Sequence, residues 1–219
     1  MQIPTPRSID LQTYPRREFF HYFNKFDVPI NSRTVQLDFT KAKHHIKHNK
    51  FVLSQVLTTL IAKAANSVDA FRQRIVGDGI EEYDFVVPCY TSLTAEKSVS
   101  FVIGAHSDSF RESYLANMAI REEALAGRQK MQYLPNQGYV IVSIIPWYSF
   151  TSMTLPYNRD HASVPTISIG KFYDQSGTTL IPVAINSNHA LIDGYHVGQF
   201  LDCLTTAFSD PETHMKLTG

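Results

Sequence analysis

From Tyr139 to Ile145 the chain reads Tyr-Val-Ile-Val-Ser-Ile-Ile, with a single serine among apolar and aromatic side chains. The run is far shorter than the roughly 20 residues a membrane-spanning helix needs. As a strand it is apolar on both faces of the pleat, so it asks to be covered on both sides. A chain containing it must fold in layers around a sheet.

The flanking pattern supplies those layers. After a Pro-containing leader, Tyr14 to Phe23 reads as a short helix with Pro15 in its first turn. Arg33 to Phe39 alternates polar and apolar residues, the period of a half-buried strand. Asn49 to Phe71 carries Val52, Val56, Leu57, Leu60, Ile61, Ala64 and Val68 at helical spacing on one face. Gly77-Asp78-Gly79 is a turn between two short strands, and Val86–Leu93 and Ser98–Ile103 read as further strands. Ser107 to Gln129 is a second long amphipathic helix, with Asp108 and Ser109 near its start. Ser163–Phe172, the turn 174–177 and Thr179–Ile185 form strand, turn and strand; Asp193-Gly194 ends them, and Tyr195–Phe208 closes as a helix. No repeat, low-complexity segment or linker divides the chain, so residues 1–219 are expected to form a single domain. Strands and helices mix without strict alternation. The expected class is therefore α/β, a two-layer sandwich with a large mixed sheet and helices on one face.

Charge narrows the range of partners. Lys+Arg and Asp+Glu balance at 20 each, and no basic run interleaves with aromatics, so neither nucleic acid nor an anionic membrane is expected. Only 18% of residues are charged, which fits either a surface partly covered by another subunit or simply an aromatic-rich core. Cys89 and Cys203 make no disulfide framework and fit a reducing compartment. With no secretory signal visible at Met1-Gln2-Ile3-Pro4, a cytoplasmic protein is expected.

The chemistry concentrates in Asn188-His189-Ala190-Leu191-Ile192-Asp193-Gly194. A histidine leaves the end of an apolar strand and the chain then turns sharply into a helix. Imidazole is the side chain best suited to take a hydroxyl or thiol proton near neutral pH. Taken alone, the same placement also fits a hydrogen-bonded structural histidine. His44, His45 and His48 lie among lysines without an obvious acidic or cysteine partner, so no metal site is expected there.

The longer stretch from Asn188 through Tyr195-His196-Val197-Gly198 resembles the HHxxxDG-FHVG region of the chloramphenicol acetyltransferase family. Other segments match in the same order: Thr13-Tyr14-Pro15-Arg16-Arg17-Glu18-Phe19-Phe20, Thr34–Asp38, Pro88–Thr91, Pro146–Ser152 and Gly170–Tyr173. The resemblance implies a CoA-dependent acyltransferase fold, acetyl-CoA as co-substrate with no permanently bound cofactor, and a small hydroxylated acceptor. It also implies a homotrimer with active sites between subunits. By the same resemblance His189 is the general base, acting in a ternary complex without an acyl-enzyme, and Ser149 stabilises the tetrahedral oxyanion. Asp193 pairs with Arg16 to support the turn, Ser168 holds an active-site water, and Lys171 lies near the CoA entrance.

The chain departs from the family pattern at Asn188, where the family has the first histidine of its pair. The segment Phe26–Asn31, Leu134 and the loop Met153–Ser163, which includes Asn158, also differ, and by the resemblance these would contact the acceptor. Three functions are therefore compared: chloramphenicol acetylation, the same chemistry on another hydroxylated metabolite, and a non-catalytic trimeric binding protein.

Overall fold

The computed structural model describes residues 2–93, 99–127, 136–156 and 159–217. Ser98, Gln129, Leu134 and Asn158 lie outside the described residues. The first half of the chain forms β1 (Pro6–Ile9), α1 (Arg17–Phe23), β2 (Ile30–Asp38), α2 (Thr40–His48), α3 (Leu53–Asn66), α4 (Asp69–Arg72), β3 (Gln73–Val76), β4 (Gly79–Tyr83), β5 (Val87–Leu93) and β6 (Val99–Ile103). The second half forms α5 (Phe110–Leu125), β7 (Tyr139–Ile144), β8 (Thr166–Ile169), β9 (Tyr173–Gln175), β10 (Thr178–Asn188), α6 (Gly194–Ser209) and α7 (Pro211–His214).

Seven strands build one mixed sheet in the order β2-β10-β8-β7-β5-β6, with β9 also pairing β10. β7 runs parallel to both β5 and β8, and the other pairs are antiparallel. β1, β4 and β3 form a small separate sheet. Its first strand pairs with a segment over 70 residues away, Pro6 opposite Tyr83, so nothing local in the leader announces it.

The helices cover one face of the large sheet. Val140 and Val142 of β7, Ile167 and Ile169 of β8, and Ile181, Val183 and Ile185 of β10 enter the same hydrophobic cluster as the inner sides of α3 and α6. On the opposite face, Val87, Cys89 and Ile103 make a second, small cluster. Within one copy β7 is therefore covered fully on its helix side only: Val140 and Val142 are buried, while Ile141, Ser143 and Ile144 are half-buried. The cover that its apolar second face asks for is incomplete in a single chain.

The long helix read from Asn49 to Phe71 is divided. Val68 adopts an extended conformation (φ −125°, ψ 112°) between α3 and α4. Moreover, α3 is buried almost all round, Gln55 and Thr58 included, because it lies between β5, β7, α5 and α6. α6 is fixed by two aromatic contacts: Phe200 stacks on Phe71 at 4.8 Å, and Phe208 meets Phe39 edge-on at 5.0 Å. Burying each of these side chains contributes about 1.5–3 kcal/mol. They hold the helix whose N-terminus abuts the histidine turn. At the other end of β10 the hairpin from β9 turns through Ser176 (φ 50°) and Gly177 (φ 85°), a two-residue loop whose twist matches its strands.

Candidate active site

β10 pairs with β2 along one edge and with β8 and β9 along the other, so it is a stiff support. His189 follows its last residue, and its backbone N–H donates to Pro29 O at 2.8 Å, which continues the pairing one step further. The chain then turns. Asn188 O accepts from Leu191 N at 3.1 Å and Ile192 N at 2.9 Å, and Asn188 Oδ1 accepts from Ala190 N at 3.0 Å. Ala190, Leu191 and Ile192 are completely buried, so the turn is embedded in the core while the His189 side chain stays half-buried beside the Phe23 ring, 4.4 Å away.

His189 Nδ1 lies 3.1 Å from Ile192 O. A carbonyl oxygen only accepts, so Nδ1 carries the proton and Nε2 keeps its lone pair for a substrate. An imidazole fixed in this tautomer is ready to act as a base.

Asp193 caps α6: its Oδ1 accepts from Tyr195 N at 2.9 Å and His196 N at 3.3 Å. Oδ2 accepts from Arg16 Nη1, and Arg16 Nη2 reaches His189 O at 3.5 Å. Both carboxylate oxygens are thus committed, and Asp193 is not the triad partner of His189. Burial alone would raise the Asp193 carboxyl, but Arg16 and the backbone N–H groups outweigh it and hold it below its ordinary range. His196 Nδ1 lies 3.0 Å from Asp193 Oδ1 and 3.3 Å from Asp193 N, so either tautomer joins the helix cap. Burial, opposed by Asp193, keeps the His196 imidazole below its ordinary range and therefore neutral at pH 7.

The serines lie elsewhere. Ser168 is fully buried on the sheet face away from the helices, and its Oγ has no hydrogen-bond partner among the described residues. Strand register places it in one row with Ser143 of β7, Ala184 of β10 and Thr34 of β2. Ser143 was not singled out in the sequence. The buried Val140 and Val142 imply that it faces the other way, but only the parallel β7–β8 register brings it beside Ser168.

Ser149 sits beyond β7 on an exposed loop, next to Phe150, whose ring packs at Gly170 and Pro182 and whose carbonyl accepts from Gln36 Nε2 at 3.2 Å. Lys171 is exposed, and its backbone N–H donates to Tyr148 O at 2.9 Å. Seven strand steps of about 3.3 Å separate Pro182 from His189, so Ser149 and Lys171 stand on the order of 20 Å from the imidazole. Ser143 is similarly distant, five steps along and two strands across. One copy does not bring His189 together with any of these groups.

A cleft of about 650 Å³ opens where β5 and β7 end, between the start of α3 and the C-terminal half of α5. Ser143 and the exposed Trp147 line it. It also meets the buried polar side chains of Gln55, Thr58 and Tyr90, and the Thr58 hydroxyl has no hydrogen-bond partner among the described residues. A hollow of about 680 Å³ lies behind Arg16 and His196 but includes neither His189 nor a site serine. Cys89 supplies no nucleophile, because burial pushes its thiol up to about 11. The α2 histidines border a groove with Asp210 and Glu212, and no group of three or more possible metal ligands occurs among the described residues. No helix among them is long and apolar enough to cross a membrane.

An oriented histidine at the end of a sheet strand, with a serine-lined cleft and no activated nucleophile among the described residues, suits an acyltransferase of the CoA-dependent type. The chloramphenicol acetyltransferase family model matches residues 6–205, and the chain belongs to that family. It is 31% identical over 197 residues to a chloramphenicol acetyltransferase of Bacillus pumilus, spanning 88% of this chain and 89% of the relative. It is likewise 31% identical over 204 residues to one of Escherichia coli, spanning 89% and 90%. A solved chloramphenicol acetyltransferase superposes with a TM-score of 0.80 at 22% identity, covering 92% of this chain and 99% of that one. The dihydrolipoamide acetyltransferase of Azotobacter vinelandii shares the fold, with a TM-score of 0.69 at 16% identity, covering 91% and 88%. The chain is accordingly an acetyl-CoA-dependent O-acetyltransferase.

Proposed function

We propose that this enzyme moves the acetyl group of acetyl-CoA onto a hydroxyl of chloramphenicol or a similar small molecule in a ternary complex, with His189 as the general base. The observation that carries the reading is the Nδ1 contact of His189 with Ile192 O, which leaves Nε2 free to accept a proton. The acceptor hydroxyl gives its proton to Nε2 as its oxygen attacks the thioester carbonyl. The tetrahedral oxyanion then collapses, the carbon–sulfur bond breaks, and His189 returns the proton to the departing CoA thiolate.

Sequence resemblance suggests Ser149 as the oxyanion donor. Ser143, in the strand row of Ser168 and at the border of the cleft, is a second candidate, and the exposure of Ser149 in one copy leaves it available to a site closed by a neighbour. The buried Ser168 hydroxyl, without a hydrogen-bond partner among the described residues, suits a water beside it. The cleft between α3 and α5 is the seat for the arm of acetyl-CoA, with Lys171 beside the Trp147–Tyr148 rim to meet its phosphates.

Because His189 and the serine-lined cleft are on the order of 20 Å apart along the strands, the working site joins the histidine of one subunit to the cleft of a neighbour. The exposed Phe19, Tyr22, Phe26 and Val28 around His189 and the half-covered second face of the sheet support a homotrimer assembled through these surfaces. The free thiols Cys89 and Cys203 suit the reducing cytoplasm.

The test is CoA thiol release from acetyl-CoA with chloramphenicol as acceptor, for the native enzyme and His189→Ala. Turnover that disappears in the variant supports base and acceptor together. Acetyl-CoA binding without turnover redirects the search to other hydroxylated acceptors. Failure to bind acetyl-CoA would overturn the proposed seat for the co-substrate.

A further inference from the structure

The geometry points to Asn188 as a positioning residue that sets the protonation geometry of His189 through the turn between them and Ile192. This rests on the reading of His189 as the base, and goes beyond it by naming what fixes the imidazole. Asn188 is buried at the end of β10, opposite Ile30 of β2. Its Oδ1 accepts the Ala190 N–H at 3.0 Å, and its carbonyl accepts from Leu191 N and Ile192 N. A short side-chain acceptor that bonds the N–H two residues on is the arrangement asparagine favours in turns.

Ala190 is fully buried, so its N–H has no water to turn to if that acceptor is lost. The turn would then have to reorganise to satisfy it. Ile192 is the far end of the same turn, and its carbonyl is the group that holds Nδ1 of His189. Asn188 therefore acts on the base without touching a substrate: it holds the carbonyl that keeps the proton on Nδ1 and the lone pair on Nε2.

Three variants separate this role from mere packing. Asn188→Ala removes the acceptor, Asn188→Leu removes it with the same number and branching of side-chain heavy atoms, and Asn188→Asp keeps it. Two readouts are needed: steady-state kinetics of acetyl transfer, and the ¹⁵N resonances of the imidazole, assigned to His189 by their absence in His189→Ala. We expect the first two variants to lose about 10- to 100-fold in kcat, with KM for acetyl-CoA little changed, as misplacement of a reacting group costs. Their His189 signals should move from one neutral tautomer to a mixture. Asn188→Asp should recover most of the rate and the single tautomer. If Asn188→Ala does not fold, Asn188→Leu decides the question. A single native tautomer and native kcat in either acceptor-free variant would overturn the inference. Should His189→Ala keep its activity, the base assignment fails, while the ¹⁵N spectra still decide whether Asn188 orders the imidazole.

Discussion

Nδ1 of His189 and the carbonyl oxygen of Ile192, three residues later, are 3.1 Å apart, so the turn that carries the imidazole also decides which of its nitrogens is free. Removing the imidazole should lower kcat by about 10²–10⁴-fold. Acetyl-CoA affinity should be unchanged in His189→Ala, measured by equilibrium titration. A matching loss of affinity would mean that the residue holds the co-substrate instead.

Subunit mixing tests the shared site directly. His189→Ala and Ser149→Ala should each be nearly inactive. Refolded together at equal amounts, random heterotrimers should recover about a quarter of native activity, because each contains one site built from an intact histidine and an intact serine. No recovery, or a monomer in light scattering, would rule out a site shared between subunits. The same mixture with Ser143→Ala in place of Ser149→Ala asks which serine serves.

The Arg16–Asp193 ion pair joins α1 to the cap of α6, with side chains 16% and 29% exposed. Asp193→Asn should cost about 2 kcal/mol, between a surface pair and a fully buried one. The folded protein binds the Asp193 proton more weakly than the unfolded chain does. Its contribution is therefore complete at neutral pH and lost on acidification through the depressed carboxylate range. Denaturant midpoints followed below pH 4 should fall more steeply for native enzyme than for Asp193→Asn.

A milder acid loss should begin near pH 6.5. His196 and His106 are both pushed below that ordinary value by burial, against the pull of Asp193 and Asp108 respectively. Folding thus excludes protons that the unfolded chain accepts, so stability is full above the unfolded value and declines as pH falls through the lower folded ones. In His196→Gln/His106→Gln the denaturant midpoint between pH 7 and 5 should flatten. An unchanged slope would show that other groups titrate there.

Arg74 is completely buried, and its guanidinium donates to the carbonyls of Phe71, Gln73, Gln137 and Tyr139 at 2.6–2.9 Å. It ties the small sheet to the start of β7, at the cost of a charge that burial pulls down to about 10. Arg74→Met should cost about 3–5 kcal/mol in urea unfolding, leaving buried carbonyls without donors. Arg74→Lys should not rescue it, since one ammonium cannot span the fork.

The amino-acid sequence by itself determined most of the local elements: the hairpin at Gly77–Gly79, the half-buried β2, the strand at 139–144 and the helix after Asp193-Gly194. Each is written in a short-range pattern of period two, period 3.6 or turn residues. The family motif marked His189, Asp193 and Arg16 as well. Tertiary structure alone decided what depends on partners far along the chain. β1 finds β4 across more than 70 positions, and Val68 splits one expected helix in two, whereas the long-range pairing of Arg16 with Asp193 was already implied by the family motif. Ser143 comes beside Ser168 only through a parallel register that neither strand encodes alone. The distance between His189 and the serine-lined cleft is of the same kind. It follows from the antiparallel course of β10 against β8, and it is the ground for the proposed site shared between subunits.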